Sequence, residues 1–272
     1  MDYIFSKPFL KWAGGKHKLV NVISEKLGKS KRLVEPFVGS GAVFMGTNFD
    51  SYLLCDTNKD LIDLYNNLKF EEELLIAETL KLFDQKNNTE EIFYELRSEF
   101  NELVDKSIRK SALFIYLNKH AFNGLCRYNS KGKFNVPFGR YKTTKVPIVE
   151  MKLFAKKAKL AEFICCEFEE TFTKLKEGDV IYCDPPYVPL SITASFTSYH
   201  VNEFGATQQQ NLATCAETAK RNGYKVVISN HDTEYTREIY ANANIDTLEV
   251  RRTISSKATT RGLAKELLAT FN

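Results

Sequence analysis

The chain has 272 residues, 43% hydrophobic and 26% charged, which is typical of a globular protein with one large domain or a core plus an inserted subdomain. No apolar run approaches the roughly 18 residues of a membrane span, and the first residues lack a signal-peptide pattern, so we expect a cytoplasmic protein. The six cysteines form no Cys-x-x-Cys pair and the four histidines are not clustered, which predicts reduced thiols and no metal.

The first motif is the loop at residues 9–16, where two glycines and two lysines surround the only tryptophan. Backbone N–H groups and the Lys16 ammonium at such a Gly-Gly-Lys loop can bind an anion. The stretch also fits an ordinary loop before a helix at residues 18–27. It is not a nucleotide-triphosphate P-loop, because His17 stands where that motif requires Ser or Thr.

A strand at residues 32–34 is predicted to run into a glycine-rich turn at Gly39 and Gly41, with a helix from about Ala42. Glycines at such a turn let the backbone approach a ligand closely. A dinucleotide fingerprint would need a third small residue where Phe44 stands, which disfavours NAD.

The next strand, residues 52–55, ends in Asp56. A carboxylate at this place accepts the hydroxyls of a bound ribose in α/β folds, and it can equally cap a helix at residues 58–69. The strand-turn-helix-strand order favours the ligand role, although both roles are compatible.

The middle of the chain is predicted to be helical, with a third helix at residues 107–120 and then a hairpin that turns at residues 130–133. Residues 106–145 contain ten Lys and Arg, seven aromatic residues and no Asp or Glu, whereas the whole chain has a net charge of only +4. Basic residues bind phosphates and aromatic rings stack on bases. A charged run is usually a solvated surface, but this pattern favours DNA binding.

The sequence Asp-Pro-Pro-Tyr at Asp184, Pro185, Pro186 and Tyr187 follows an apolar strand predicted at residues 179–183. It therefore lies where open α/β sheets place their ligands. Asp184 and the Pro185 carbonyl can accept the two N–H groups of a flat amine, and Tyr187 can stack on its ring. The alternative is a simple turn that ends a strand.

Three motifs in this order resemble the DNA adenine methyltransferase (Dam) family: residues 11–16, residues 37–41 and residues 184–187. The similarity extends over nearly the whole chain. It implies methyl transfer from S-adenosylmethionine to N6 of adenine in double-stranded DNA, within GATC, on a flipped-out base. By the resemblance the catalytic residues are the Asp184 to Tyr187 tetrapeptide, and the cofactor-binding residues are Trp12, Lys16, Phe37, Gly39, Gly41, Asp56, Phe168 and Asp184.

The resemblance also assigns the DNA contacts. Phe122 aligns with the aromatic wedge beside the flipped adenine, Arg127 with an arginine that reads guanine, and Lys11 with a lysine at the outer guanine. The remaining contacts are Leu125 and Pro137 near the thymine methyl, Asn123 at the site, and Lys119 and Arg140 at phosphates. Two residues depart from some relatives: the wedge is phenylalanine instead of tyrosine, and residue 119 is lysine instead of arginine.

The predicted fold is α/β, a mostly parallel Rossmann-like methyltransferase sheet with an inserted helical and β-hairpin DNA-recognition subdomain. Residues 1–69 and 147–272 are predicted to form the catalytic domain and residues 70–146 the recognition subdomain. Further strands are expected at residues 162–166, 224–229 and 247–252, a helix at residues 207–222, and a lid or DNA-ordered loop at residues 188–206. Residues 265–271 could close the sheet.

Three rival functions remain open from the sequence. Cytosine-N4 methyltransferases share the same chemistry but more often have Ser in place of Asp184. RNA or protein-amide methyltransferases usually have Asn there, and the acid-free segment argues against them. A non-catalytic DNA-binding protein on a methyltransferase fold is the third. One asymmetric DNA-binding segment suggests a monomer.

Overall fold

The structure, a computed structural model, describes residues 7–187, 204–251 and 263–272. It is a mixed α/β fold with a seven-stranded, mostly parallel sheet. The chain divides into two compact units. The first unit comprises residues 1–20, 39–48 and 56–165, and the second comprises residues 21–38, 49–55 and 166–272. The predicted division, by contrast, separates a recognition subdomain at residues 70–146 from a catalytic domain formed by the remainder. It is defined by function and stays a prediction.

In chain order the elements are α1 (Val20–Leu27), β1 (Arg32–Glu35), α2 (Ala42–Gly46), β2 (Ser51–Asp56), α3 (Lys59–Phe70), α4 (Glu72–Leu82), α5 (Glu90–Glu102), α6 (Ile108–His120), α7 (Ile148–Ala158), β3 (Ala161–Cys165), α8 (Phe168–Phe172), β4 (Asp179–Cys183), α9 (Ala206–Arg221), β5 (Lys225–His231), α10 (Glu234–Ile239), β6 (Asn244–Arg251) and β7 (Leu263–Phe271). Short 3-10 turns occupy Gln85–Asn87 and Phe122–Gly124.

The first unit is mainly helical, and side chains cap its helices at their amino-terminal ends. Asn58 Oδ1 accepts the Leu61 N–H at the start of α3 at 3.1 Å. In the same way Ser107 Oγ accepts the Lys110 N–H at the start of α6 at 3.0 Å. Most side chains of α6 are buried, so this helix lies at the centre of the unit's core.

The second unit contains six strands of the sheet, in the order β2-β1-β4-β5-β7-β6. Strands β1, β2, β4 and β5 are parallel, whereas β7 runs antiparallel to both β5 and β6. All five residues of β4 are buried, as expected for a strand in the middle of a parallel sheet. Because β4 and β5 are parallel, the residues that follow them lie at the same edge of the sheet.

The predicted fold class is confirmed, and the boundaries differ in detail. Helix α1 begins at Val20 instead of residue 18, since residues 17–19 form a turn in which the Leu19 N–H bonds the Lys16 carbonyl at 2.8 Å. The predicted hairpin consists of two isolated bridges, Ala121 with Phe138 and Tyr128 with Phe134, instead of regular strands. Most of the predicted loop at residues 188–206 lies outside the described residues.

Among the helices in the described residues, none is both long and apolar enough to cross a membrane.

Candidate functional site

The Asp184 carboxylate follows β4 and is oriented by β5. The Ser229 hydroxyl donates to Asp184 Oδ1 at 3.0 Å. A second hydroxyl, that of Tyr182, lies 2.9 Å from Ser229 Oγ. Because Ser229 uses its single proton on the carboxylate, Tyr182 is the donor in that second bond. Both hydroxyl-bearing residues are fully buried, so the orientation of Asp184 is built into the sheet.

The second proline of the turn is held by a residue that the sequence prediction missed. Gln209 Nε2 on α9 donates to the Pro186 carbonyl at 2.8 Å, and Gln209 Oε1 accepts from Asn230 Nδ2 at 3.0 Å. Gln209 is only 1% exposed. The available signal was a glutamine on the apolar stripe that Leu212, Ala213 and Ala216 form at helical spacing.

The Tyr187 ring is held by a neighbouring ring and by its hydroxyl. The His231 ring packs edge-to-face against it, with centroids 4.8 Å apart, and the hydroxyl donates to Glu266 Oε2 at 3.1 Å. Burial, with Asp184 nearby, raises the pKa of Tyr187 well above its usual value, so the phenol stays neutral. His231 therefore takes a supporting position here.

An aromatic cluster in the second unit contains two of the predicted cofactor residues. The rings of Phe37 and Phe168 stack with centroids 5.6 Å apart, and Phe204 packs against both at 5.4 Å and 5.6 Å. Phe168 is buried, whereas Phe37 is partly exposed. The cluster therefore offers an apolar surface to a flat ring.

Asp56 lies in the first unit, and backbone N–H groups donate to its carboxylate. Gly39 N–H donates to Oδ2 and Asn58 N–H donates to Oδ1, both at 3.0 Å. Burial raises the pKa of Asp56, against the lowering effect of these hydrogen bonds. Asn58, not Asp56, caps α3 through its side chain. A carboxylate has about four lone-pair positions, so Asp56 can accept a hydroxyl of a ligand beside the backbone groups of Asn58, Gly39 and Thr57.

At Gly39 the backbone of the glycine-rich turn passes close to the Trp12 side chain. A Cβ at Gly39 would lie 2.8 Å from Trp12 Nε1, and its φ of +47° is left-handed. Gly41, also left-handed at +71°, is the residue before α2. Lys16 is buried and donates to the Gly14 carbonyl at 2.7 Å. The structure therefore brings Trp12, Gly39 and Asp56 together.

Lys11 lies against the carboxyl end of α6. Its ammonium donates to the Lys119 carbonyl at 3.1 Å and lies 4.0 Å from the centre of the Tyr141 ring. Burial lowers the pKa of Lys11 and, with Lys11 nearby, lowers that of Lys119 to about 8. Two predicted DNA contacts that are 108 positions apart are thus neighbours.

The turn after α6 carries the predicted wedge. Phe122 is 50% exposed, its N–H donates to the Pro137 carbonyl at 2.9 Å, and the next residue, Asn123, has a left-handed φ of +53°. Asn123, Arg127, Pro137 and Arg140 are exposed and Leu125 is partly exposed.

Arg127 is already oriented within the hairpin. Its Nε donates to Asn135 Oδ1 at 2.8 Å and its Nη2 to the Asn135 carbonyl at 3.3 Å. The next residue, Tyr128, donates its hydroxyl to Asp60 Oδ2 on α3 at 2.8 Å. The arginine therefore projects from a stretch that contacts both the facing arm of the hairpin and α3.

Residues 106–145, the basic segment, present less unpaired positive charge than a count of their lysines and arginines indicates. Arg109 pairs with Glu78 at 3.0 Å and with Glu99 at 2.7 Å, and Lys110 pairs with Asp60 at 3.0 Å. Arg140 also lies 3.3 Å from Glu90, although both side chains of that pair are exposed. The acids come from neighbouring helices, so counting charges along the segment overstated the positive surface.

Residues 12–254 match the family described as D12 class N6 adenine-specific DNA methyltransferase. A DNA adenine methylase from Vibrio cholerae serotype O1 is 50% identical over 266 residues, which cover 97% of this chain and 96% of the relative. The DNA adenine methylase of Escherichia coli strain K12 is 47% identical over 266 residues, 98% of this chain and 95% of its own.

A solved structure of a conserved hypothetical protein from Streptococcus pyogenes is similar over 94% of this chain and 95% of its own, with 11% identity and a TM-score of 0.37. The family match and the two relatives confirm the resemblance. They also decide against the cytosine-N4 and non-catalytic alternatives. The chain belongs to the D12 class of N6 adenine-specific DNA methyltransferases, enzymes that methylate adenine in DNA.

Proposed function

We propose that this adenine-specific DNA methyltransferase transfers the methyl group of S-adenosylmethionine to N6 of an adenine in double-stranded DNA, within 5′-GATC-3′, after flipping the base out of the helix. The observation that carries the proposal is the Asp184 carboxylate at the carboxyl end of a buried parallel strand, oriented by the Ser229 hydroxyl at 3.0 Å. A preoriented acceptor at this place suits an exocyclic amine.

The adenine amine needs activation because its lone pair is delocalised into the ring. Asp184 and the Pro185 carbonyl accept its two N–H groups and draw the nitrogen toward tetrahedral geometry. The Pro186 carbonyl already accepts from Gln209 at 2.8 Å, which leaves Pro185 as the natural second acceptor of the turn. The flipped ring stacks on Tyr187, whose position His231 and Glu266 fix.

Asp184 acts by hydrogen bonding and charge stabilisation. A carboxylate is too weak a base to deprotonate a neutral amine beforehand, but it can stabilise the positive charge that forms on N6 as the methyl arrives. The proton is then lost from the methylated nitrogen. When bound, S-adenosylmethionine supplies a methyl group on a sulfonium, whose charge makes the transfer favourable without a metal.

The residues present fit S-adenosylmethionine. In the first unit, Asp56 accepts ribose hydroxyls on the lone pairs that its backbone partners leave. Gly39 and Gly41 allow close backbone approach beside Trp12, and Lys16 supports the loop through the Gly14 carbonyl. In the second unit, Phe37 and Phe168 supply the apolar face for the adenine, and Asp184 contacts the cofactor as well as the target base.

The first unit supplies the DNA contacts. Lys11 and Arg127 read guanines, Leu125 and Pro137 contact the thymine methyl, and Asn123 makes a polar contact at the site. Lys119 and Arg140 hold phosphates. Phe122 fills the space that the flipped adenine leaves, and its ring, 50% exposed, is accessible to DNA. Because the DNA-binding segment occurs once per chain, we propose that the enzyme acts as a monomer.

The test is nucleoside mass spectrometry on plasmid DNA incubated with the protein and S-adenosylmethionine, followed by mapping of the modified positions. N6-methyladenine confined to 5′-GATC-3′ is the expected result. Methyladenine in another sequence context would keep the chemistry at Asp184 and overturn the assignments in the DNA-binding segment. Absence of methylation with S-adenosylmethionine as donor would overturn the cofactor.

A further inference from the structure

Asn118 connects two parts of the DNA-binding surface that lie far apart in the sequence. Its Oδ1 accepts the backbone N–H of Lys11 at 2.8 Å, and its Nδ2 donates to the Lys11 carbonyl at 2.7 Å and to the Gly124 carbonyl at 3.3 Å. The side chain is 2% exposed. One side-chain amide thus bonds both the N–H and the carbonyl of Lys11, as a neighbouring strand would in a sheet, and this fixes the Lys11 backbone.

The third bond of Asn118 reaches the turn that carries Phe122 and Asn123. Gly124 ends this turn in a left-handed conformation, and a Cβ there would lie 2.5 Å from Lys11 Cβ. The Lys11 side chain thus occupies the space beside Gly124. The backbone of Lys11, the end of α6 and the wedge turn are therefore locked together around one buried amide.

We propose that Asn118 is a positioning residue for base recognition: it keeps the Lys11 side chain in register with the Phe122 wedge, so that the outer guanine is read only when the wedge is placed beside the flipped adenine. The proposal rests on the proposed function, in which Lys11 contacts that guanine. Asn118 itself touches no base. It acts by holding the Lys11 backbone, while the Lys119 carbonyl and the Tyr141 ring hold the ammonium.

The chain offers matched controls for this proposal. Asn67 Nδ2 donates to Ser111 Oγ at 2.8 Å near the other end of α6, so Asn67→Ala also removes an amide bond to this helix but leaves Lys11 in place. Gly124→Ala displaces the Lys11 side chain while the Asn118 side chain itself is retained. Gly132→Ala imposes a similar left-handed strain, with a φ of +69° and no atom within 4 Å of the added Cβ.

The experiment compares kcat/KM for methylation of a GATC duplex with that of duplexes altered at the first G·C pair or at the thymine pair. We expect Asn118→Ala and Gly124→Ala to lower discrimination at the first guanine by about tenfold, the scale of one lost base contact, while discrimination at the thymine pair persists. Asn67→Ala and Gly132→Ala should keep both ratios. In a Lys11→Ala background, Asn118→Ala should cause no further loss of discrimination.

Two contrary outcomes are distinguishable. If the wild-type enzyme itself shows no preference at the first guanine, the role of Lys11 in the proposed function fails, and the proposal for Asn118 falls with it. If the wild type discriminates and both Asn118→Ala and Gly124→Ala retain its ratio while losing activity equally on all duplexes, Asn118 is only structural. If circular dichroism shows that Asn118→Ala folds poorly, the test uses the other pair of variants. Lower discrimination at the first guanine in Gly124→Ala than in Gly132→Ala then supports the proposal, and equal discrimination contradicts it.

Discussion

The Ser229 hydroxyl donates to Oδ1 of Asp184 at 3.0 Å across neighbouring parallel strands, and Tyr182 supports it from behind at 2.9 Å. This small chain of hydroxyls sets the angle of the carboxylate before any DNA is bound. Preorganisation of this kind lowers the cost of reaching the transition state, so the hydroxyls should affect turnover more than binding.

Replacement of Ser229 by alanine should lower kcat by about 10- to 100-fold, the range for loss of a hydrogen bond to a charged group. KM for S-adenosylmethionine should change little, because the bond orients Asp184 toward the amine. Tyr182→Phe is the control: it removes the supporting hydroxyl, keeps the Ser229 bond and should cost less. Equal losses in both variants would assign the effect to packing of the strands.

Removal of the carboxylate itself should be more severe. Asp184→Ala should lower the rate of methylation by about a thousandfold or more, which abolishes activity in practice. Binding of S-adenosylmethionine, measured by calorimetry, should stay largely intact. Asp246→Ala, which removes an exposed carboxylate of the same unit that pairs with Lys26, should behave as wild type. A near-wild-type rate for purified Asp184→Ala would show that another group activates the amine.

A substitution at Gly39, in the glycine-rich turn of the first unit, should selectively weaken binding of S-adenosylmethionine. Gly39→Ala brings a Cβ within 2.8 Å of Trp12 Nε1 and keeps a left-handed φ of +47°. We expect the Kd for S-adenosylmethionine to rise at least about tenfold, as a misplaced loop loses several contacts. The readouts are calorimetric Kd and thermal unfolding.

Gly223→Ala separates this effect from backbone strain, because Gly223 has a φ of +84° but no atom within 4 Å of the added Cβ. Both substitutions should lower the free energy of unfolding by about 1 kcal/mol or more, and only Gly39→Ala should weaken cofactor binding. A variant Gly39→Ala that is destabilised yet binds the cofactor normally would contradict the proposed role.

Arg127 and Arg140 are both exposed on the same segment but should behave differently on DNA. Arg127→Ala should relax preference at one guanine position at a cost of about 1–3 kcal/mol on the cognate site. Arg140→Ala should weaken binding on all sequences and reduce the salt slope by about one. Binding titrations at several salt concentrations distinguish the two, and an equal loss on every sequence for Arg127→Ala would make it a phosphate contact.

The sequence predicted local features well because each depends on a short stretch of chain. The apolar run of β4 and the two prolines after it define a strand and its end, and glycines mark the turn at Gly39 and Gly41. The supports of the site could not be predicted, since Gln209 and Asn118 act through backbone groups 23 and 107 positions away. Nor does a charge count show that Arg109 is neutralised by glutamates of other helices.

The lowered pKa of Lys119 predicts that DNA binding depends on pH. Burial and the nearby Lys11 lower the pKa of Lys119 to about 8, so in the free protein its ammonium is present below that pH and is lost above it. A phosphate contact needs the charge, and one linked proton weakens binding by at most about tenfold per pH unit. The Kd for GATC duplex at constant ionic strength should therefore rise from pH 7 to pH 9. Lys119→Arg should bind like wild type at pH 6.5 and stay flat across this window, because a guanidinium remains charged; the same slope in both proteins would show that another group titrates.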